Sequence, residues 1–259
     1  MIQPGGVARR IIDCLAAAAG AVEVEDVRIG LGYIAVKLAD QGCGVAYSFR
    51  EQAQGGCAVF QGLRPIAGRS AADILSLLAS EDVIEAGVGL ACANALANRS
   101  GPEHLVGDVL EHLGIRPEDD VGMVGHFGPL VEPIERRARS LTIFERVERP
   151  TDLLRPKEEA AEALPRCQVA LITATSIINN TVDGLLEAAR GCRQVALLGA
   201  STPMLPAVFH GSGVSMLSGV VVKKADKVLQ VVSEGGGMRQ FSPFVLKVTV
   251  PLGGSGAGR

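Results

Sequence analysis

The 259-residue chain carries 25 basic and 28 acidic side chains, a formal net charge of −3, and its basic residues form no stripe interleaved with aromatics, which argues against a nucleic-acid surface. Apolar residues make up 47% and Trp is absent, so a core of Leu, Val, Ile and Ala is available for one large or two modest domains. No apolar run reaches the ~20 residues of a membrane span, and the opening MIQPGGVARR lacks the apolar core and small-residue cleavage site of a secretory signal, so a cytoplasmic location is expected.

Val7, Ile11, Ile12 and Leu15 recur at helical spacing and predict a helix that stops near Gly20. Residues 27–38 and 44–49 read as two strands joined by a turn around Asp40-Gln-Gly. A loop rich in Gly and Gln follows at 52–56, with 57–60 as a short third strand. Ser70, with Asp73 three residues on, predicts a capped helix carrying Ile74, Leu77 and Leu78. Residues 82–98 read as a second helix, so full of small side chains that another backbone can approach it closely. This order predicts a separate α+β unit over residues 1–98.

Arg99-Ser-Gly-Pro marks the boundary to a second unit, residues 99–250, in which strand, loop and helix repeat. A short helix is expected at 107–113, then strands at 121–124, 141–144, 169–172, 194–198 and 214–222. Helices fall between and after them, at 130–138, 157–164, from Val182 to Ala189, around 204–210 and at 225–233. Val169–Ile172 is a continuous apolar run of the kind a strand buried on both faces needs, and Asn180 reads as the cap of the helix after it, with Asp183 at the positive end of the dipole. Parallel strands require crossover helices, so the unit is an α/β domain with a mainly parallel sheet covered on both faces. Residues 244–250 add a final edge strand, and the Gly-rich residues 251–259 read as a disordered tail.

In such a sheet the strand-to-helix loops emerge on one edge, where open α/β sheets bind their ligands. Three of these loops carry unusual residues: Gly125-His-Phe-Gly-Pro, Thr173-Ala-Thr-Ser, and Gly199-Ala-Ser-Thr-Pro. His126, beside two glycines, is the leading titratable candidate, as a general acid/base or as a metal ligand through neutral imidazole. The competing reading is a turn histidine held by the backbone. Gly122, Gly125 and Gly128 lack the first close pair of the dinucleotide fingerprint, although Glu145 ends the next strand where an acid would hold a ribose hydroxyl. No G-x-S-x-G elbow is present, so serine-hydrolase chemistry is not expected. The six cysteines, at 14, 43, 57, 92, 167 and 192, form no CxxC pair and read as small core hydrophobes rather than disulfides or a zinc site.

The segments VGMVGHFGPL (121–130), LITATSIINNTVDGLLE (171–187) and LLGASTPMLPAVFHGSGVSMLSGVVV (197–222), with the ALAN segment containing Asn94, carry a family likeness. The second half resembles the putative heavy-metal chelation domain family, which has a Rossmann-like fold, and the first half resembles the enolase-N-terminal-like domain that precedes it. The resemblance implies a site in the cleft between the domains, used in making or handling a metal chelator or a metallated small molecule. By matching motif it would be lined by Asn94, Gly125, His126, Thr175, Asn179, Ser201 and Thr202, with Glu145 added from its position. The expected partner is an anionic, metal-chelating small molecule rather than nucleic acid or a membrane, and homo-oligomer formation stays open. A metal ion or metal chelate is the implied cofactor, the chelate needing fewer protein ligands. The alternatives are an enzyme using a nicotinamide dinucleotide or S-adenosylmethionine, and a non-catalytic small-molecule sensor.

Overall fold

The apolar stripe at the start of the chain forms α1 (Gly6–Gly20), which buries Val7, Ile11, Leu15 and Ala19. In this computed structural model, which describes residues 6–53, 59–101, 104–107 and 109–252, its first turn is capped from the other half of the chain. The Val7 N–H donates to both carboxylate oxygens of Asp183, at 3.1 and 3.2 Å, placing a negative charge at the positive end of the helix.

Three strands follow, β1 (Val24–Ile29), β2 (Tyr33–Leu38) and β3 (Cys43–Tyr47), paired in that order as an antiparallel meander. Residues 27–38, expected as one strand, are two, because the Gly30–Gly32 turn closes with Gly30 N–H donating to Tyr33 C=O at 2.8 Å. Residues 59–60 are turn, and the remainder of the expected strand at 57–60 lies outside the described residues. The Ser70 hydroxyl caps α2 (Ala71–Ser76), and the Asp82 carboxylate caps α3 (Val83–Ala97) by accepting from Ile84 and Glu85 N–H. The small side chains of α3 let it lie directly on β3. A Cβ on Gly44 would stand 2.2 Å from Ala95 N and 2.3 Å from Ala91 O, so the two backbones touch there.

The second unit contains β4 (Leu105–Val106), β5 (Asp120–Val124), α4 (Gly128–Glu135), β6 (Ser140–Glu145), β7 (Leu154–Pro156), α5 (Ala160–Ala163) and β8 (Val169–Thr173). It continues through α6 (Val182–Ala188), β9 (Gln194–Leu198), α7 (Pro206–Phe209), β10 (Met216–Val222), α8 (Ala225–Ser233), α9 (Met238–Phe241) and β11 (Val245–Pro251). The sheet order is β4-β11-β10-β9-β8-β5-β6-β7. The six strands from β10 to β7 run parallel, while β11 is antiparallel to both β10 and β4. The mainly parallel, doubly covered sheet is therefore as the periodicity indicates. Four local expectations need correction. The helix at 107–113 is a single 3-10 turn, Val109–Glu111. The strand at 244–250 is not the edge, because β4 pairs with it. Asn180 is not a cap but a left-handed residue (φ 57°), and Thr181 occupies the cap position. Of the expected tail, Pro251 ends β11 and Leu252 N–H donates to Ser215 C=O at 2.8 Å; residues 253–259 lie outside the described residues.

The two units share a continuous apolar core, from Val7 and Leu90 through Ile172 and Leu217 to Val250. Strand β2 is buried from Ile34 to Leu38, covered on one side by α3 and on the other by α8. Polar contacts fix the register of this joint. Asn94 Nδ2 donates to Val45 C=O (2.8 Å) and Ser201 C=O (3.1 Å), while Asn98 Nδ2 donates to Thr202 C=O (2.9 Å) and Val220 C=O (3.2 Å). Asn98 Oδ1 accepts from Met204 N–H at 2.8 Å. Replacing Asn98 with Ala strands these buried groups and is expected to cost about 2–4 kcal/mol in urea denaturation. A loss below about 0.5 kcal/mol, the ordinary range for a surface substitution, would contradict the role given to this amide.

Candidate functional site

The parallel strands progress from β5 through β6 to β7 on one side, then return across β5 to β8, β9 and β10 on the other. At such a reversal the loops leaving the two central strands diverge and open a crevice at their carboxyl ends. A cleft of about 490 Å³ lies there, within the size range of small-molecule sites. It is lined by Val124 and Gly125 at the end of β5, and by Thr173 and Thr175 at the end of β8. Beside them stand Glu145 and Arg146 at the end of β6, with Lys157 and Glu158 after β7. The N-terminal unit contributes a roof of Tyr47, Phe49, Glu51 and Gln52, from the end of β3 onward.

Gly125 has φ +91°, and a Cβ there would lie 3.0 Å from Thr173 Cβ, so both backbone sign and space require glycine. The other two glycines of the spacing have different roles. Gly122 leaves room for Leu164 and Cys167, and nothing crowds Gly128 closer than His126 Cε1 at 3.9 Å. His126 is exposed at the cleft wall; its backbone N–H donates to Glu145 Oε2 at 3.2 Å, and Arg146 N–H donates to Glu145 Oε1 at 2.7 Å. Glu145 thus ties the β5 and β6 loops together. Across the cleft the Thr173 and Thr175 hydroxyls share a 3.0 Å hydrogen bond. The Asn179 carbonyl accepts from Thr181 Oγ1 at 2.7 Å, which leaves the donor end of the amide for a ligand.

Five of the expected site residues, Gly125, His126, Glu145, Thr175 and Asn179, therefore line one cleft. The structure places the other three elsewhere. Asn94, Ser201 and Thr202 are buried in the domain joint, where Ser201 Oγ accepts from Tyr47 N–H at 2.9 Å. The loop after β9 is roofed by β3 and α3, so its hydroxyls meet protein rather than solvent. The aromatic lining was missed altogether. Tyr47, Phe49, Phe127 and Phe144 are four of the chain's nine aromatics, and all four line this cleft.

Residues 108–251 match the family described as "Putative heavy-metal chelation", and residues 12–97 match a second family of the same description. The chain belongs to this family. A crystal structure of a family member of unknown function from Pyrococcus horikoshii superposes with a TM-score of 0.83 at 21% identity, covering 95% of this chain and all of that one. Another, from Desulfitobacterium hafniense, gives 0.77 at 23% identity over 93% and 98% of the two chains. An uncharacterized protein of Methanocaldococcus jannaschii is 24% identical over 163 residues, 61% of this chain and 62% of that protein. The two solved structures show a shared fold over nearly the whole length of this chain. No helix among the described residues is long and apolar enough to cross a membrane.

The family description raises a resident metal, which the side chains can be tested against. Among the described residues no group of three or more His, Cys, Asp or Glu side chains could hold an ion. A tight transition-metal site needs several converging ligands. At the cleft the carboxylate nearest His126 is already committed to two backbone N–H groups. The cleft does not fit a metal held by protein ligands alone.

The roof residue Tyr47 is edge-on to Phe49 (5.0 Å) and Tyr33 (5.9 Å), and burial, then Glu51 and Glu145, raise its phenol pKa. Burial pushes Tyr33 up to about 12. Since the chain has two tyrosines and no Trp, the tyrosinate absorbance band reads both directly. A folded-state pKa above the unfolded value means stability falls as pH rises through the window from 10 to about 12. At pH 10 the folded chain should show a weaker tyrosinate band than the unfolded chain; half-ionisation of both phenols at pH 10 would contradict the packing of the roof.

Proposed function

We propose that the chain binds or processes an anionic small molecule in the crossover cleft, with any metal carried inside the ligand as a chelate. The observation that supports this is the pairing of aromatic walls with a charge-separated rim. Lys157 and Arg146 offer two cations to acidic oxygens, while Glu51, Glu145 and Glu158 would repel a plain anion. A chelated cation within the ligand offsets those carboxylates, and Tyr47, Phe49 and Phe127 contact its organic body. His126, exposed at the wall, either moves a proton at the ligand or touches the chelated metal. Thr175 and Asn179 orient the ligand from the β8 side, and the glycine at 125 lets it approach the backbone. Bound metal would supply Lewis acidity to the ligand it sits in.

A second reading, an enzyme using a nicotinamide dinucleotide or S-adenosylmethionine, draws on the strand order and on Glu145 at the end of β6. The geometry favours it less, since Glu145 is held by backbone N–H groups and only Gly125 of the three glycines needs its positive φ. A sensor without turnover would use the same contacts as the first reading.

Native mass spectrometry of the full chain, purified without chelators, tests the proposal. The expected result is a copurifying acidic small molecule whose affinity falls about tenfold or more in each of Lys157→Ala and Arg146→Ala, the worth of one charged contact. An adduct that persists unchanged in both variants, or one that is a dinucleotide, would overturn it. In thermal-shift assays, added nicotinamide dinucleotide or S-adenosylmethionine should leave the melting temperature where it is.

A further inference from the structure

The sheet has a second chemically distinct place, at the end opposite the cleft. Cys167 stands two residues before Val169 of β8, and Cys192 two residues before Gln194 of β9. Val169 and Gln194 are register partners, and Gln194 N–H donates to Gln168 C=O at 3.2 Å, so the pairing carried back two residues sets the cysteines opposite each other. The hydrogen bonds agree. Cys167 N–H donates to Leu164 C=O at 3.0 Å, and Cys192 Sγ reaches the same carbonyl oxygen at 3.5 Å. Cys167 Sγ lies 3.7 Å from the preceding carbonyl, Ala163 C=O. Each cysteine ends a 3-10 turn, Leu164–Arg166 and Ala189–Gly191, and the two turns pack together. The absent side chain of Gly122 leaves the space beside Cys167, since a Cβ there would come within 3.1 Å of its sulfur.

The other described cysteines differ. Cys43 and Cys92 are buried, and Cys14 is exposed on α1. Cys167 and Cys192 are half-buried, each sulfur facing a carbonyl oxygen, with the Asp120 carboxylate near enough to raise the Cys167 pKa. Burial first, and then that carboxylate at Cys167, hold the pair as thiols, each S–H donating to a backbone carbonyl, so an ion that binds here must displace the protons.

We propose that Cys167 and Cys192 form a two-thiolate site for a soft d10 metal ion, with copper(I) as its simplest occupant. Soft ions select thiolates, and a monovalent one is satisfied by two sulfurs where a harder ion needs more ligands. Each S–H releases its proton to solvent as the S–Cu bond forms, two protons per ion and no electrons. Burial holds both thiols protonated, Cys192 up to about 11, so affinity falls as pH falls. The site is separate from the cleft and stands or falls independently of its ligand.

Anaerobic titration of the full chain with copper(I) buffered by bicinchoninate tests this. The wild-type chain should hold one tight ion. C167S and C192S should each weaken it by about a hundredfold or more, while C14S leaves it unchanged. The logarithm of affinity should rise by about two per pH unit below the thiol pKa values, reporting the two released protons. In the unaltered chain, bound copper(I) should shield Cys167 and Cys192 from iodoacetamide while Cys14 stays reactive, which covers the case of a variant that fails to fold. Wild-type affinity in C167S or C192S would overturn the proposal, as would loss of the ion in C14S or equal alkylation of all thiols with and without copper.

Discussion

Two buried amides, Asn94 on α3 and Asn98 capping its C-terminus, hold the rest of the structure in register. A buried amide is costly unless its polar atoms are paired; Asn98 has both ends met and Asn94 Nδ2 donates to both halves of the chain, while Asn94 Oδ1 has no hydrogen-bond partner among the described residues. The two amides lock the loop after β9 beneath the N-terminal unit. That loop then holds the end of β3, through Ser201 Oγ and Tyr47 N–H, and so sets where the aromatic roof stands above the cleft. The small residues of α3 make this possible, since Gly44 and its neighbours let the helix and strand backbones touch.

The cleft follows from topology rather than from any special side chain. Loops after β5 and β8 part because their strands cross over in opposite directions, and the β6 and β7 ends supply one flank. What the chain adds is chemistry at the rim: three carboxylates, two cations and an exposed imidazole around aromatic walls. The proposed ligand, with acidic oxygens and a cation of its own, is chosen to meet both signs of that rim. The family description, heavy-metal chelation, is compatible with a metal that arrives already chelated.

The parallel sheet was legible because buried parallel strands read as unbroken apolar runs, as in Val169–Ile172 and Val195–Leu198. Strands β4 and β7, two and three residues long, have no period to detect; β4 exists through pairing with the distant β11 and β7 through pairing with β6 just before it. The turn at Gly30–Gly32 carried its own signal, two glycines flanking Leu31, which the apolar run around it masked. Five of the eight expected site residues, Gly125, His126, Glu145, Thr175 and Asn179, fall at one cleft at the carboxyl edge of the sheet. Asn94, Ser201 and Thr202 do not, because a sequence shows which loops reach an edge but not which of them another domain covers. Tyr47 and Phe49 were overlooked for the mirror reason: strand-end aromatics read as core until the partner sheet shows them facing a cleft.

The central claim is that one ligand is held at the crossover by both units at once. Hydrogen–deuterium exchange tests it most directly, comparing the chain as purified with the same chain stripped of small molecules in denaturant and refolded. The account predicts that the native preparation is more protected at residues 47–52, 124–128 and 173–179 together. Protection confined to the second unit, or centred away from these segments, would contradict it.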